Sequence, residues 1–265
     1  YKGVFYRVFK YLFSRNRKDN NDIVKKEYFC NNLYIKDNLS DKEKFENIIN
    51  FAKEIIDKHN NENSHEHPIL DFIRILGRRI QSDYMGYLLY SGKRENESSH
   101  LEAREVMFSP YKSIKDENND YIEISDLIEK KQSDKKINLS KDLVLPWPWR
   151  RERIRDCLLS IGEGRKSGIW KQDYDNHYVD VWLPIGIAWV YGGNHSITVG
   201  IVQGGELEPN YYSDISKVYK YIKCDGESFI DINSGRSLCK VKSPEFAAIF
   251  EIGRMMVDNN ISFID

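Results

Sequence analysis

The chain of 265 residues has room for one large domain or two small ones, and its 40% hydrophobic content is enough for a real core. Its 40 basic and 41 acidic residues nearly cancel, so net charge argues neither for nor against nucleic acid, and local clustering has to decide. No apolar run reaches the ~18 residues a membrane span needs and no signal-peptide pattern is present, so a cytoplasmic protein without a transmembrane segment is expected.

Residues 1–136 read as a mainly helical N-terminal region. Tyr1 to Lys18 is aromatic and basic, and Phe5, Val8, Phe9 and Leu12 fit one helical face, which reads as packing on the body of the protein or on a partner before it reads as touching a membrane surface or nucleic acid. Ser40 to Lys58 is predicted helical. Ser40 and Glu43 make the S-x-x-E capping box, and Phe45, Ile48, Ile49, Ala52, Ile55 and Ile56 repeat at helical spacing. A second helix is expected from Pro68, with a buried stripe of Ile69, Phe72, Ile73, Leu76, Ile80, Tyr84, Tyr87 and Leu88; Arg74, Arg78 and Arg79 fall elsewhere and are expected to be solvated. His100 to Phe108 is expected as a short helix, and Tyr121 to Ile124 as a strand or the start of a helix. The charged stretch Lys130 to Lys136 reads as a linker.

Residues 137–265 read as an α+β domain. Ile137 to Leu145 is expected as one strand ending at Pro146, where the prolines of Pro146-Trp147-Pro148-Trp149 set an extended turn. Ile154, Leu158, Leu159 and Ile161 suggest a helix that ends near Gly162 and Gly164. His177 to Leu183 and Ile185 to Tyr191 come next as strands, Gly192 to Ser196 as a turn, and Ile197 to Val202 as the start of the next helix. Strand, glycine turn and helix N-terminus together form the shape of a phosphate cradle, because backbone N–H groups and the helix dipole both favour an anion there. Residues 204–242 read as strands and turns, with a hairpin at Asp225-Gly226-Glu227. Ser243, Pro244 and Glu245 open a terminal helix that buries Phe246, Ile249, Phe250, Gly253 and Met256.

The four cysteines, Cys30, Cys157, Cys224 and Cys239, form no C-x-x-C pair and read as reduced thiols. No metal site is expected: His65-Glu66-His67 lacks a third ligand, and His177 with Asp173, Asp175 and Asp180 reads as a turn cap before it reads as a divalent-ion site.

Leu145-Pro146-Trp147-Pro148-Trp149-Arg150, then Leu159-Ser160-Ile161-Gly162-Glu163-Gly164, then Gly193-Asn194-His195-Ser196 stand in an order that resembles the ParB/sulfiredoxin-like superfamily, as a divergent member. The resemblance covers roughly residues 137–225. It implies a small mixed-sheet domain whose glycine turn holds nucleotide phosphates, in a bacterial DNA-transaction or phage-defence setting. On that reading Gly192, Gly193, Asn194 and Ser196 form the turn, Arg150 and Arg153 neutralise charge, and His195 acts as general acid or base. Two departures matter. Ser196 stands where the superfamily's turn carries Arg, which favours binding over catalysis, and Asn194 stands where sulfiredoxins carry their catalytic Cys, which counts against thiol-based repair. The expected function is therefore binding of a nucleotide or a nucleic-acid phosphate, with hydrolysis and a divalent cation as possible additions. The alternative is a catalytically silent module that binds a partner protein through its N-terminal helices.

Overall fold

A five-stranded mixed sheet organises the molecule. The computed structural model describes residues 38–59, 66–90 and 106–264. Tyr1–Leu39 and Ser40–Asp265 separate as two units, and all the helices and strands of the described residues belong to the second. The sheet has the order β3 (Glu129–Lys131), β9 (Tyr211–Asp214), β6 (Val179–Leu183), β7 (Ile187–Val190) and β5 (Leu143–Leu145). β3 runs antiparallel to β9, β9 parallel to β6, β6 antiparallel to β7, and β7 parallel to β5. Smaller sheets pair β1 (Ser113–Lys115) with β2 (Tyr121–Glu123), β4 (Ile137–Asn138) with β8 (Glu206–Leu207), and β10 (Ile222–Cys224) with β11 (Ser228–Asp231) and β12 (Ser237–Lys240). Five α-helices lie among the described residues: α1 (Asp41–Lys58), α2 (Ile69–Tyr90), α3 (Arg151–Ser160), α4 (Asn194–Gln203) and α5 (Pro244–Asp258). The protein is thus α+β, as expected.

The helix signals in the sequence act as their chemistry requires. Ser40 Oγ accepts from Glu43 N at 3.2 Å while Glu43 accepts from Ser40 N at 2.7 Å, which satisfies two orphan donors at the start of α1. Ser243 Oγ accepts from Phe246 N, and Pro244 occupies the first turn of α5, where its missing N–H costs nothing. α5 buries Phe246 against Trp189 of the sheet and Phe250 against Phe108, Tyr219 and Phe229. It also packs on α1 and α2. The hairpin between β10 and β11 turns at Gly226, whose φ of 88° suits glycine.

Three expectations are corrected. Residues 130–136 are not a linker: Lys130 and Lys131 pair with Ser213 and Tyr212 inside the main sheet, so the change of character near residue 137 falls within one unit. Ile137 to Leu145 is two short strands, because Asn138 Oδ1 accepts from Ser140 N and Lys141 N, and Asp142 Oδ2 accepts from Asn138 N, closing a turn between them. Tyr121–Glu123 is a strand, one of the two readings expected there, and Ile124–Leu127 follows as a 3₁₀ turn. Tyr87 lies exposed, whereas Leu70 and Gly77 are buried; Gly77 lets the Leu143 methyl groups of β5 approach the α2 backbone.

Arg74 also departs from expectation: it is buried. Its guanidinium holds Glu66 in a two-pronged pair at 2.7 and 2.8 Å, Asp71 at 2.7 Å, and the buried Asp142 at 2.8 Å. Arg74 and Lys141 hold the Glu66 carboxyl down at about 2. Arg78 donates to the carbonyls of Ser140 and Lys141, and Arg79 pairs with Glu245 at the start of α5. Arg74 alone is brought inward, where acceptors meet it, while Arg78 and Arg79 stay exposed, as expected, and hold the β4–β5 turn and α5 from the surface. Tyr1 to Lys18, Cys30, His65 and most of His100 to Phe108 lie outside the described residues.

Candidate functional site

Other segments of the protein pack on the glycine turn. β7 ends at Val190, and Gly193 takes φ 74° as the N-cap of α4. The helix starts at Asn194, earlier than expected, because Ile197 N already bonds Gly193 O at 2.9 Å. Asn194, His195 and Ser196 are thus first-turn residues, and the first two are buried. Asn194 Oδ1 accepts from Trp147 N at 2.7 Å, and His195 Nε2 accepts from Arg150 N at 3.2 Å, with the Trp149 ring edge-on to the imidazole. The Pro-Trp segment is stitched over the helix N-terminus by these bonds.

His177 closes the other side. Its Nδ1 accepts from Asp173 N at 3.0 Å, so the neutral ring carries its proton on Nε2. That N–H points to Ser196 Oγ at 2.7 Å, and the Ser196 hydroxyl donates onward to Gly193 O at 3.0 Å. Burial lowers the His177 pKa, with only a smaller opposing pull from Asp173, which keeps the ring neutral. The polarity is the reverse of an activated serine, since the imidazole donates to the hydroxyl and cannot take its proton. A Cβ at Gly193 would collide with the His177 ring, and one at Gly192 with the Asn176 carbonyl and Tyr178. Both glycines admit the protein's own 173–178 loop. Arg150 and Arg153, at the start of α3, are exposed, and Arg150 meets the turn through its backbone N–H. Among the described residues no group of three His, Cys, Asp or Glu is placed to hold a metal; His177 caps the Asp173 turn, and Asp180 sits elsewhere.

The open site lies on the sheet. The registers Lys130↔Ser213, Ser213↔Trp182 and Asp180↔Tyr211, with the two-residue alternation of strands, put these five side chains on one face. Ser213 Oγ lies 2.6 and 2.8 Å from the two Asp180 carboxylate oxygens. Lys130 Nζ donates to Ser213 Oγ at 2.6 Å, stands 3.5 Å from Asp180, and sits 4.4 Å from the centre of the Tyr211 ring. Burial raises the Asp180 pKa; the Ser213 hydroxyl and the Lys130 ammonium oppose it. Ser213 is itself 1% exposed, so its oxygen orients the pair and presents no nucleophile.

Two cavities meet over this floor. One, of about 370 Å³, is walled by Pro110, Tyr111, Ser125, Ile128 and Trp182. The other, of about 450 Å³, is walled by Tyr178, Val179, Asn210 and Tyr211. Lys130, Asp180 and Tyr191 line both. Each volume falls in the range of small-molecule sites, about 300–1,000 Å³. The sequence does not single out this group for binding a nucleotide: Lys130 falls in the supposed linker and Asp180 in a supposed turn cluster. The available signal is a polar residue at alternate positions of buried strands, in Asp180-x-Trp182 and Tyr211-x-Ser213.

What fold and site define is an α+β protein with an aromatic-walled cleft on a mixed sheet. The chain belongs to a family of unknown function, DUF6710, whose model matches residues 31–263. No curated protein and no solved structure matches it. Among the described residues no helix is long and apolar enough to cross a membrane.

Proposed function

We propose that the protein is a binding module for a nucleoside or nucleoside monophosphate, without a hydrolytic step of its own, and that the ligand sits in the tyrosine-walled cleft. The carrying observation is the meeting of two lobes at one Lys130–Asp180 pair beneath Tyr191. A base stacks on tyrosine faces whatever its identity, at about 1–3 kcal/mol per base. Asp180 offers acceptors to amino and ribose hydroxyl groups, Asn210, whose Oδ1 accepts from Val179 N, offers its amide N–H donors, and Lys130 offers one cation, enough for a single phosphate and too little for a polyphosphate. The nucleotide expectation thus moves from the glycine turn to the cleft. The likeness to the ParB/sulfiredoxin-like superfamily is supported only by the order of β5, α3, β6, β7 and α4 along the chain.

Isothermal titration calorimetry with the four common nucleosides and their monophosphates tests this reading. One-to-one binding of at least one is expected, weakened by Tyr211→Ala and Asp180→Asn and unchanged by Arg153→Ala on α3. Silence with all eight, or binding lost only in the α3 variant, would refute it.

A further inference from the structure

α3 and α4 lie side by side and in step. Their N-terminal ends are joined by Arg150 N to His195 Nε2, and their C-terminal ends by Gln203 Nε2 to Ile161 O at 2.8 Å. The loop after α3 folds back on that same end, with Ser167 N on Ser160 O and Gly162 N on Gly168 O. Four exposed aliphatic residues lie on the segments that these bonds bring together at one end of the layer: Leu158, Leu159, Ile169 and Val202. They are 46%, 71%, 62% and 80% exposed. Scattered singly, such residues need no explanation; gathered, they mark a contact surface.

The charge around them leans positive. Residues 158–171 hold three basic side chains, Arg165, Lys166 and Lys171, against the single acidic Glu163, in a chain whose net charge is −1. Arg155 pairs with its neighbour Asp156, and Arg165 Nη1 donates to the Ile161 carbonyl, which plants a guanidinium beside the aliphatic cluster. Lys166 and Lys171 flank Ile169 along the loop and are exposed. An aliphatic tip beside a loop with more cations than anions matches an interfacial membrane surface: the apolar groups enter the acyl boundary and the cations meet lipid phosphates. Nucleic acid fits less well, because the patch offers no aromatic ring for base stacking.

We infer that this end of the α3–α4 layer docks the protein peripherally on an anionic lipid surface. The inference is independent of the cleft. Sedimentation with phosphatidylcholine vesicles, alone and with phosphatidylglycerol mixed in, tests it on the full chain. Binding to the anionic vesicles only is expected, falling as salt rises. A triple variant, Leu159→Ser with Ile169→Ser and Val202→Ser, is expected to weaken binding by at least about tenfold. Arg165→Gln and Lys166→Gln are expected to weaken it about fivefold each. All five positions alter surface side chains, and an unchanged melting temperature confirms an intact fold in each variant. Equal binding to both vesicle types, no binding, or variants that bind as the parent does overturn the inference. So does binding to a short DNA duplex that excludes anionic vesicles, which assigns the cations to phosphodiester backbone.

Discussion

The turn at the start of α4 and the cleft over β3, β9 and β6 carry similar inventories. Each has a serine held between two polar partners: Ser196 between His177 and the Gly193 carbonyl, Ser213 between Lys130 and Asp180. They differ in what lies beyond the serine. At the turn the relay ends on a backbone carbonyl, and the neighbouring Asn194 and His195 accept from the Pro-Trp segment. At the cleft the relay ends on a carboxylate beside open volume. The same residue types make a rivet in one place and a floor in the other, and only the packing around them tells which.

The largest expected effect tests the rivet. Gly193→Ala puts a side chain at φ 74° and drives its Cβ into the His177 ring. Left-handed strain of about 1–2 kcal/mol and overpacking of about 1–3 kcal/mol should together cost about 2–5 kcal/mol in urea unfolding. A loss below about 0.5 kcal/mol would mean that the loop yields and the turn is an accessible cradle after all. Next in size, Asn194→Ala leaves the Trp147 N–H buried without its acceptor and should cost about 1–3 kcal/mol. On the cleft side Tyr211→Ala should change stability by no more than about 0.5 kcal/mol, because the ring lies 57% exposed. The same change should remove most of the stacking energy of a bound nucleoside.

Legibility in the sequence tracks locality. The capping box of α1, the Ser-Pro start of α5 and the hairpin at Gly226 rest on contacts within a few residues, and each forms as its local pattern requires. The turn at Gly193 is also visible in the sequence, but its meaning is not, because the loop that fills it comes from residues 173–178 and the segment that ties it from 147–150. Arg74 reads as solvated for the same reason: its buried partner Asp142 lies 68 positions away in sequence. The cleft is least visible. Lys130, Asp180 and Ser213 come from three strands, and no spacing along one chain announces that their registers align.

The subtlest prediction turns on proton linkage, and it sets the two regions in opposition. His177 has its pKa lowered by burial from 6.5, so on acidification the unfolded chain takes up the proton first. The stability it contributes is full above about pH 6.5 and is lost as pH falls through the lower folded value. Asp180 has its pKa raised from 3.8, again by burial, so the native carboxyl takes its proton before the unfolded one does. Its contribution is full below about pH 3.8 and is lost as pH rises through the higher folded value. Urea midpoints of the parent, His177→Gln and Asp180→Asn between pH 7 and pH 4 separate the two. The parent's advantage over His177→Gln should shrink on acidification from pH 7, while its standing against Asp180→Asn should improve towards pH 4. If both differences move in the same direction, Asp180 is hydrated in the native protein. The Lys130–Ser213–Asp180 floor is then a solvated surface pair, which is worth little to stability or to a ligand.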